Sequence, residues 1–163
     1  MQKKILITGG SGLLAFNWAL STRSNYAVTL LLHHKKISLL GVETDIASLS
    51  SLDECSSVLA KHQPDIVIHT AGLTNVEECE ANPDLAQEVN VDLAKNIAIS
   101  CSNQGIKLVH ISTDHLFLGD QEFTTENASI NPVNNYAKTK FLGEQKVLEN
   151  CKDALVIRTN FFG

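Results

Sequence analysis

A chain of 163 residues with 44% hydrophobic and 19% charged residues is long enough to bury one proper core and is composed like an ordinary globular domain. Its net charge of −5 leaves no basic footprint, which excludes nucleic acid as a partner class. No apolar run is long enough to cross a bilayer, and Met1-Gln2-Lys3-Lys4 leads into a strand pattern rather than a signal peptide, so no membrane partner is expected. Cys55, Cys79, Cys101 and Cys151 are widely separated and form no CxxC pair, which argues for a reduced, cytoplasmic chain without a disulfide framework. The histidines show no metal-ligand spacing, so no metal is expected either.

In chain order, Lys4-Ile5-Leu6-Ile7 reads as a buried strand that empties into Gly9, Gly10 and Gly12 and then into a stretch of helical spacing from Leu13 to Leu20. Strand, glycine turn and helix together present a helix N-terminus to a dinucleotide pyrophosphate. Gly9 allows the tight turn, Gly12 lets phosphate approach the backbone, and Ala15 is small enough for the helix to pack closely on the strand. Ser11, Leu13 and Leu14 complete this candidate cofactor cradle.

Residues 26–32 form a second buried strand, and a short third one is expected over residues 39–45. Residues 49–62 are helical in period, with Ser50, Ser51 or Asp53 as the cap. A fourth strand, 65–70, is introduced by Pro64 and followed by Ala71-Gly72. A long helix is expected over 83–103, carrying Leu85, Val89, Leu93, Ile97 and Cys101, and ended by Gly105. A fifth strand (107–112), a polar loop (119–135), a helix (135–150) and a sixth strand (154–159) complete the chain. Alternation of strands and helices, with near-continuous apolar strands, predicts an α/β, Rossmann-type doubly wound parallel sheet covered on both faces. Such a sheet binds its ligand beyond the carboxyl ends of its strands. Residues 9–12, 33–36, Asp45-Ile46, 70–72, 112–115 and Thr159-Asn160 all fall there.

Tyr136 and Lys140 are one helical turn apart and share a face. A phenol titrating near ~10 is a poor proton donor or acceptor at neutral pH, and a neighbouring ammonium is expected to pull it down towards working range. Thr113, at the end of the fifth strand, is placed to hydrogen-bond a substrate oxygen held beside the phenol. A surface aromatic beside a solvated lysine is the plain alternative; the order of glycine turn, Ser-Thr strand end and Tyr-x-x-x-Lys favours the chemical one.

The chain resembles the extended short-chain dehydrogenase/reductases, and within them the dTDP-4-dehydrorhamnose reductases. The resemblance rests on Thr8-Gly9-Gly10-Ser11-Gly12-Leu13-Leu14-Ala15 and on Ser112-Thr113-Asp114-His115-Leu116-Phe117-Leu118-Gly119. It continues through Asn135-Tyr136-Ala137-Lys138-Thr139-Lys140, Gly143-Glu144 and Arg158-Thr159-Asn160-Phe161-Phe162-Gly163. It implies a catalytic triad of Thr113, Tyr136 and Lys140. Tyr136 would protonate a C4 keto oxygen as hydride arrives from nicotinamide, and Lys140 would also hold the nicotinamide ribose. Thr113, Asp114 and Tyr136 would meet the nucleotide-sugar substrate. The resemblance allows a homodimer. It also implies a C-terminal substrate lobe beyond residue 163, so the chain reads as the cofactor-binding N-terminal portion of a longer protein. Two positions depart from the pattern. Ala15 replaces the last glycine, and His69-Thr70-Ala71-Gly72 stands where Asn-Ala-Ala is common; Thr70, Ala71 and Gly72 keep their expected contacts with cofactor, while His69 has no assigned role.

An acidic residue about 20 positions past the glycines would mark NAD by gripping the ribose 2′-hydroxyl. Leu32 stands there instead, followed by His33-His34-Lys35-Lys36. His33, Lys35 and Lys36 are therefore expected to meet a 2′-phosphate, so NADP(H) is preferred and NAD(H) remains the alternative; a solvated charge run is the structural alternative. Asp45 with Ile46 resembles the pair that contacts adenine, against a simple turn aspartate. Phe16 and Trp18 read as packing residues, and Glu77, Glu78 and Glu80 as a solvated cluster at a helix start. Asn90 reads as structural, bonding a strand backbone, and His115 as either a substrate contact or a partly buried structural residue. Two other functions remain open. One is an epimerase or dehydratase that reuses tightly held NAD, disfavoured by the missing acid and by Asp114-His115. The other is a non-catalytic NADP-binding regulatory subunit like that of methionine adenosyltransferase.

Overall fold

The computed structural model describes residues 2–117, 119 and 122–160. Leu118 and the Phe161-Phe162-Gly163 end of the last motif lie outside the described residues. Six parallel strands make one sheet: β1 (Lys4–Thr8), β2 (Ala27–Leu32), β3 (Glu43–Ile46), β4 (Ile66–His69), β5 (Lys107–Thr113) and β6 (Leu155–Thr159), in the order β3-β2-β1-β4-β5-β6. The strands are aliphatic because both sheet faces are covered, and alternate residues serve opposite faces. On one face Ile5, Ile7, Val28, Leu30 and Ile68 pack with Ala15 and Ala19 of α1 (Leu13–Thr22), and Trp18 joins this cluster. On the other, Leu6, Val67 and Leu108 meet α2 (Leu52–His62) and a long helical arm, together with Val147 of the last helix. The order reverses between β1 and β4, which opens the crevice where such sheets take ligands.

The helical arm is not the single helix the apolar spacing predicts. It runs as α3 (Val76–Ala81), α4 (Pro83–Gln87), a π-helical turn (Glu88–Asp92) and α5 (Leu93–Gln104). The π turn has a local cause. Asn90 faces inward, where its Oδ1 accepts from Leu73 N at 2.8 Å and its Nδ2 donates to Leu73 O at 3.1 Å and Thr139 Oγ1 at 3.1 Å. Its carbonyl presses on α6 (Asn135–Asn150) so closely that a Cβ at Gly143 would stand 2.3 Å from it. Only glycine fits there. Gly105 ends α5 in the left-handed region at φ +67°.

Candidate active site

The glycine turn is shaped by β4 as much as by β1. Gly9 sits at φ +66°, and a Cβ there would meet Ala71 N at 2.8 Å. Thr70 Oγ1 donates to Thr8 O at 2.6 Å, and Gly10 N donates to Leu31 O at 2.9 Å, so the ends of β1, β2 and β4 are fastened together. Gly12 caps α1 without a side chain, which leaves the helix's first N–H groups to an external acceptor. Ala15 is fully buried against the strands, as its size requires. Backbone donors, a bare helix N-terminus and no room for side chains suit a pyrophosphate.

The chemistry-bearing residues stand on the neighbouring strand ends. Lys140 comes from the buried side of α6; its Nζ donates to Ile111 O at 2.7 Å and lies 3.8 Å from where a Gly72 Cβ would be. The glycine turn, Ala71-Gly72 and Lys140 are thus contiguous. Burial pushes the Lys140 ammonium down to about 8, and Glu144 opposes that shift. Thr113 is buried beside the Tyr136 phenol, and its Oγ1 accepts from His115 N at 3.2 Å. Thr113, Tyr136 and Lys140 therefore gather at one strand end.

The electrostatics of Tyr136 differ from the sequence expectation. Its phenol is held above its ordinary value, chiefly by burial and further by Cys79 and Asp114, with only the Thr113 hydroxyl acting the other way. Lysine does not tune it downward here. A phenol kept neutral is a proton donor, the form needed to protonate an oxyanion. The helix carrying it is fixed at its start by Asn134, which accepts from Ala137 N at 2.8 Å, and by Glu80. Glu80 takes Asn135 N at 2.6 Å and Asn135 Nδ2 at 2.9 Å. It is more than a solvated helix-start charge; only its position outside α6 hid that role in the sequence.

The remaining candidates divide. His33, His34, Lys35 and Lys36 are exposed just past β2, with the two imidazoles in ring contact at 3.5 Å. Ser11 and Leu13 are exposed on the turn, and Leu14 is half-buried. Ile46 is exposed, and Asp45 is ion-paired to the neighbouring helix. Its Oδ2 takes Lys61 at 2.5 Å and His62 at 2.8 Å, its Oδ1 takes Ile46 N at 3.0 Å, and these partners hold the carboxyl below its ordinary value. Asp45 is a fastening between β3 and α2. His115 is exposed rather than structural, edge-on to Tyr136 at 5.8 Å. With Asp114, Phe117, Glu126 and Arg158 it lines an open cleft of about 890 Å³. There Arg158 is spent on Glu144, with Nη2 to Oε2 at 2.8 Å. Among the described residues no cluster could hold a metal ion, and no helix is long and apolar enough to cross a membrane.

Comparison with known proteins matches residues 3–162 to the RmlD substrate binding domain family. The chain belongs to that family. It is 31% identical to the dTDP-4-keto-6-deoxy-D-glucose reductase of Streptomyces niveus over 98% of this chain and 52% of that protein. It is also 31% identical to the bovine methionine adenosyltransferase 2 subunit beta, over 96% of this chain and 46% of that subunit. The dTDP-4-dehydrorhamnose reductase of Bacillus anthracis, solved in complex with NADP, superposes with a TM-score of 0.83 at 29% identity, over 97% of this chain and 53% of that one. The chain thus spans about half the length of the relatives it matches.

Proposed function

We propose that this chain is the cofactor-binding part of a reductase that transfers hydride from NADPH to a nucleotide-linked 4-keto sugar. The observation that carries this reading is the contiguity of the glycine turn, Ala71-Gly72, Lys140, Thr113 and the phenol of Tyr136. The B. anthracis neighbour is a dTDP-4-dehydrorhamnose reductase bound to NADP, and the S. niveus relative is named for the same class of ketone. In this reading the turn of Gly9, Ser11, Gly12, Leu13 and Leu14 holds the pyrophosphate. His33, Lys35 and Lys36 meet the 2′-phosphate, Ile46 covers the adenine, and Thr70, Ala71 and Gly72 line the crevice.

The nicotinamide supplies the hydride. Thr113 and Tyr136 hold the substrate's keto oxygen, and the neutral phenol gives it a proton as negative charge develops there. Lys140 places its ammonium beside the ribose of the bound nucleotide. Asp114 faces the same cleft and contacts the sugar.

A regulatory reading also has support, because the bovine methionine adenosyltransferase subunit matches as well over as much of this chain. One experiment separates the two. NADPH and NADH are titrated against the chain, and oxidation of NADPH by dTDP-4-dehydrorhamnose is followed for the full-length protein and its Tyr136→Phe variant. A reductase loses about 10²-fold or more in turnover with NADPH affinity nearly unchanged, the range expected for a positioned proton donor. Turnover indifferent to the substitution goes against the reductase.

A further inference from the structure

One sheet face is apolar along Leu6, Val67 and Leu108, and turns polar one pleat later at Thr8, His69 and His110. These polar residues are at most 1% exposed and stand in register, Thr8 beside His69 and His69 beside His110. Ser112 follows on the same face of β5 and is also buried. Thr8 Oγ1 lies 2.7 Å from His69 Nδ1, and the imidazoles stack with centroids 5.3 Å apart. Beyond these contacts, His69 Nε2, both ring nitrogens of His110 and Ser112 Oγ have no hydrogen-bond partner among the described residues. Buried polar atoms in native proteins are rarely left so, and four in one patch indicate a ligand.

Lys140 reaches the same patch from α6. The carbonyl it bonds belongs to Ile111, the residue between His110 and Ser112. An ammonium has three protons to donate, and Ile111 O takes one. Spare donors and spare acceptors therefore share one buried place. We propose that His69, His110 and Ser112 form an internal water site behind Lys140, in which ordered water links the ammonium to two neutral imidazoles.

The hydrogen-bond directions are consistent with this. Ala71 N donates to Thr8 Oγ1 at 3.4 Å, which turns the hydroxyl proton towards His69 Nδ1 and leaves the His69 proton on Nε2. One water accepting from His69 Nε2 and Lys140 Nζ, and donating to His110 and Ser112 Oγ, has the two to four partners that internal water requires. Burial, with the Lys140 charge second, keeps His69 and His110 well below their ordinary values, so both stay neutral. The other charge bearing on Lys140 is Glu144 on α6, itself held by Arg158 of β6. A metal ion fits poorly in a patch that brings two imidazoles, an ammonium and no carboxylate. His69 and His110 then act as positioning residues for Lys140, a consequence that rests on the reductase reading, although the water site itself does not.

The test has two parts, neither involving cofactor. A crystal structure of the chain that shows ordered solvent should place a water within hydrogen-bonding distance of a His110 nitrogen and Ser112 Oγ; no solvent among these atoms overturns the site. In the second part, NMR of ¹³Cε-labelled lysine, with Lys140 assigned through Lys140→Arg, follows the Lys140 titration. His110→Leu should lower its midpoint by about one unit, a tenfold loss of proton affinity, and His110→Asn should recover most of it. An unchanged midpoint in folded His110→Leu overturns the positioning role. Should that variant not fold, Ser112→Ala carries the same expectation in lesser degree. Failure to bind NADPH would sink the reductase and leave the water site standing.

Discussion

The two halves of the sheet do their work by different means. Around β1, β2 and α1 the candidate contacts are backbone atoms and exposed side chains: Leu13 is 79% exposed, and Lys35 and Lys36 lie in solvent. Around β4, β5 and α6 they are buried side chains bound to one another, with Thr113 at 4% and Lys140 at 6% exposure. The first half recognises by shape, which tolerates changes of side chain but not of backbone room. The second sets protonation states, which tolerates neither lost partners nor altered burial.

The largest expected effect exploits that contrast through pH. Burial, with the Lys140 charge second, pushes His69 down to about 3 from 6.5, and His110 is lowered in the same way. Between those values the unfolded chain binds more protons than the folded one, so stability rises with pH there and is lost on acidification below 6.5. The full effect at His69 is roughly 5 kcal/mol. Urea melts between neutral pH and about pH 4 should show this loss, and a His69→Asn/His110→Asn double variant should flatten it. An acid limb unchanged by the double substitution would break the comparison, because it would mean the imidazoles are not buried neutral.

The next effect lies in the backbone half. Gly9 and Gly105 share nearly the same left-handed backbone, φ +66° and φ +67°, but a Cβ at Gly9 would stand 2.8 Å from Ala71 N while one at Gly105 meets nothing within 4 Å. Gly105→Ala should cost only the conformational strain, about 1 kcal/mol. Gly9→Ala should cost about 2–3 kcal/mol and at least tenfold in NADPH affinity, since the turn must open. Equal losses in thermal melts of the two variants would show that close approach to β4 does not matter.

How much of this could be read from the chain follows the same division. The strand cores and the span of α6 were legible, because aliphatic runs and helical spacing are local signals. The start of α2 was legible too, through the capping box of Ser51 and Glu54. The expected third strand slides to Glu43–Ile46 because Leu39 pairs with Val42 across Gly41, at φ +77°, and closes a tight turn first. The helix over 83–103 conceals a π turn because apolar spacing hardly registers one added residue. The ion pairing of Asp45, the raised phenol of Tyr136 and the role of the histidine pair were not legible, for a common reason. Their states are set by tertiary packing: α2 for Asp45, burial with Cys79 and Asp114 for Tyr136, and burial through strand register for His69 and His110.

A smaller effect tests the exposed basic run. If Lys35 and Lys36 meet a 2′-phosphate, Lys35→Ser/Lys36→Ser should weaken NADPH about tenfold and leave NADH alone, and the difference should shrink with added salt. Equal weakening of both cofactors would reduce the run to a solvated strand end.

The smallest effect asks how firmly the buried half is held from outside. Glu80 lies on α3, away from Tyr136, but its carboxylate takes both the backbone and the side-chain nitrogen of Asn135, the residue before the phenol. These bonds are exposed, so Glu80→Ala should cost only about 1 kcal/mol of stability. Asn134 still caps the helix, so α6 should persist while its first turn frays. Hydrogen exchange should therefore quicken at the amides of the first turn and stay unchanged near Val147. Turnover of the full-length protein should fall a few-fold with NADPH affinity untouched, because the phenol moves and the glycine turn does not. Exchange unaltered at the first turn would mean that packing of Gly143 against Asn90 positions Tyr136 unaided, and that the contact from α3 is incidental.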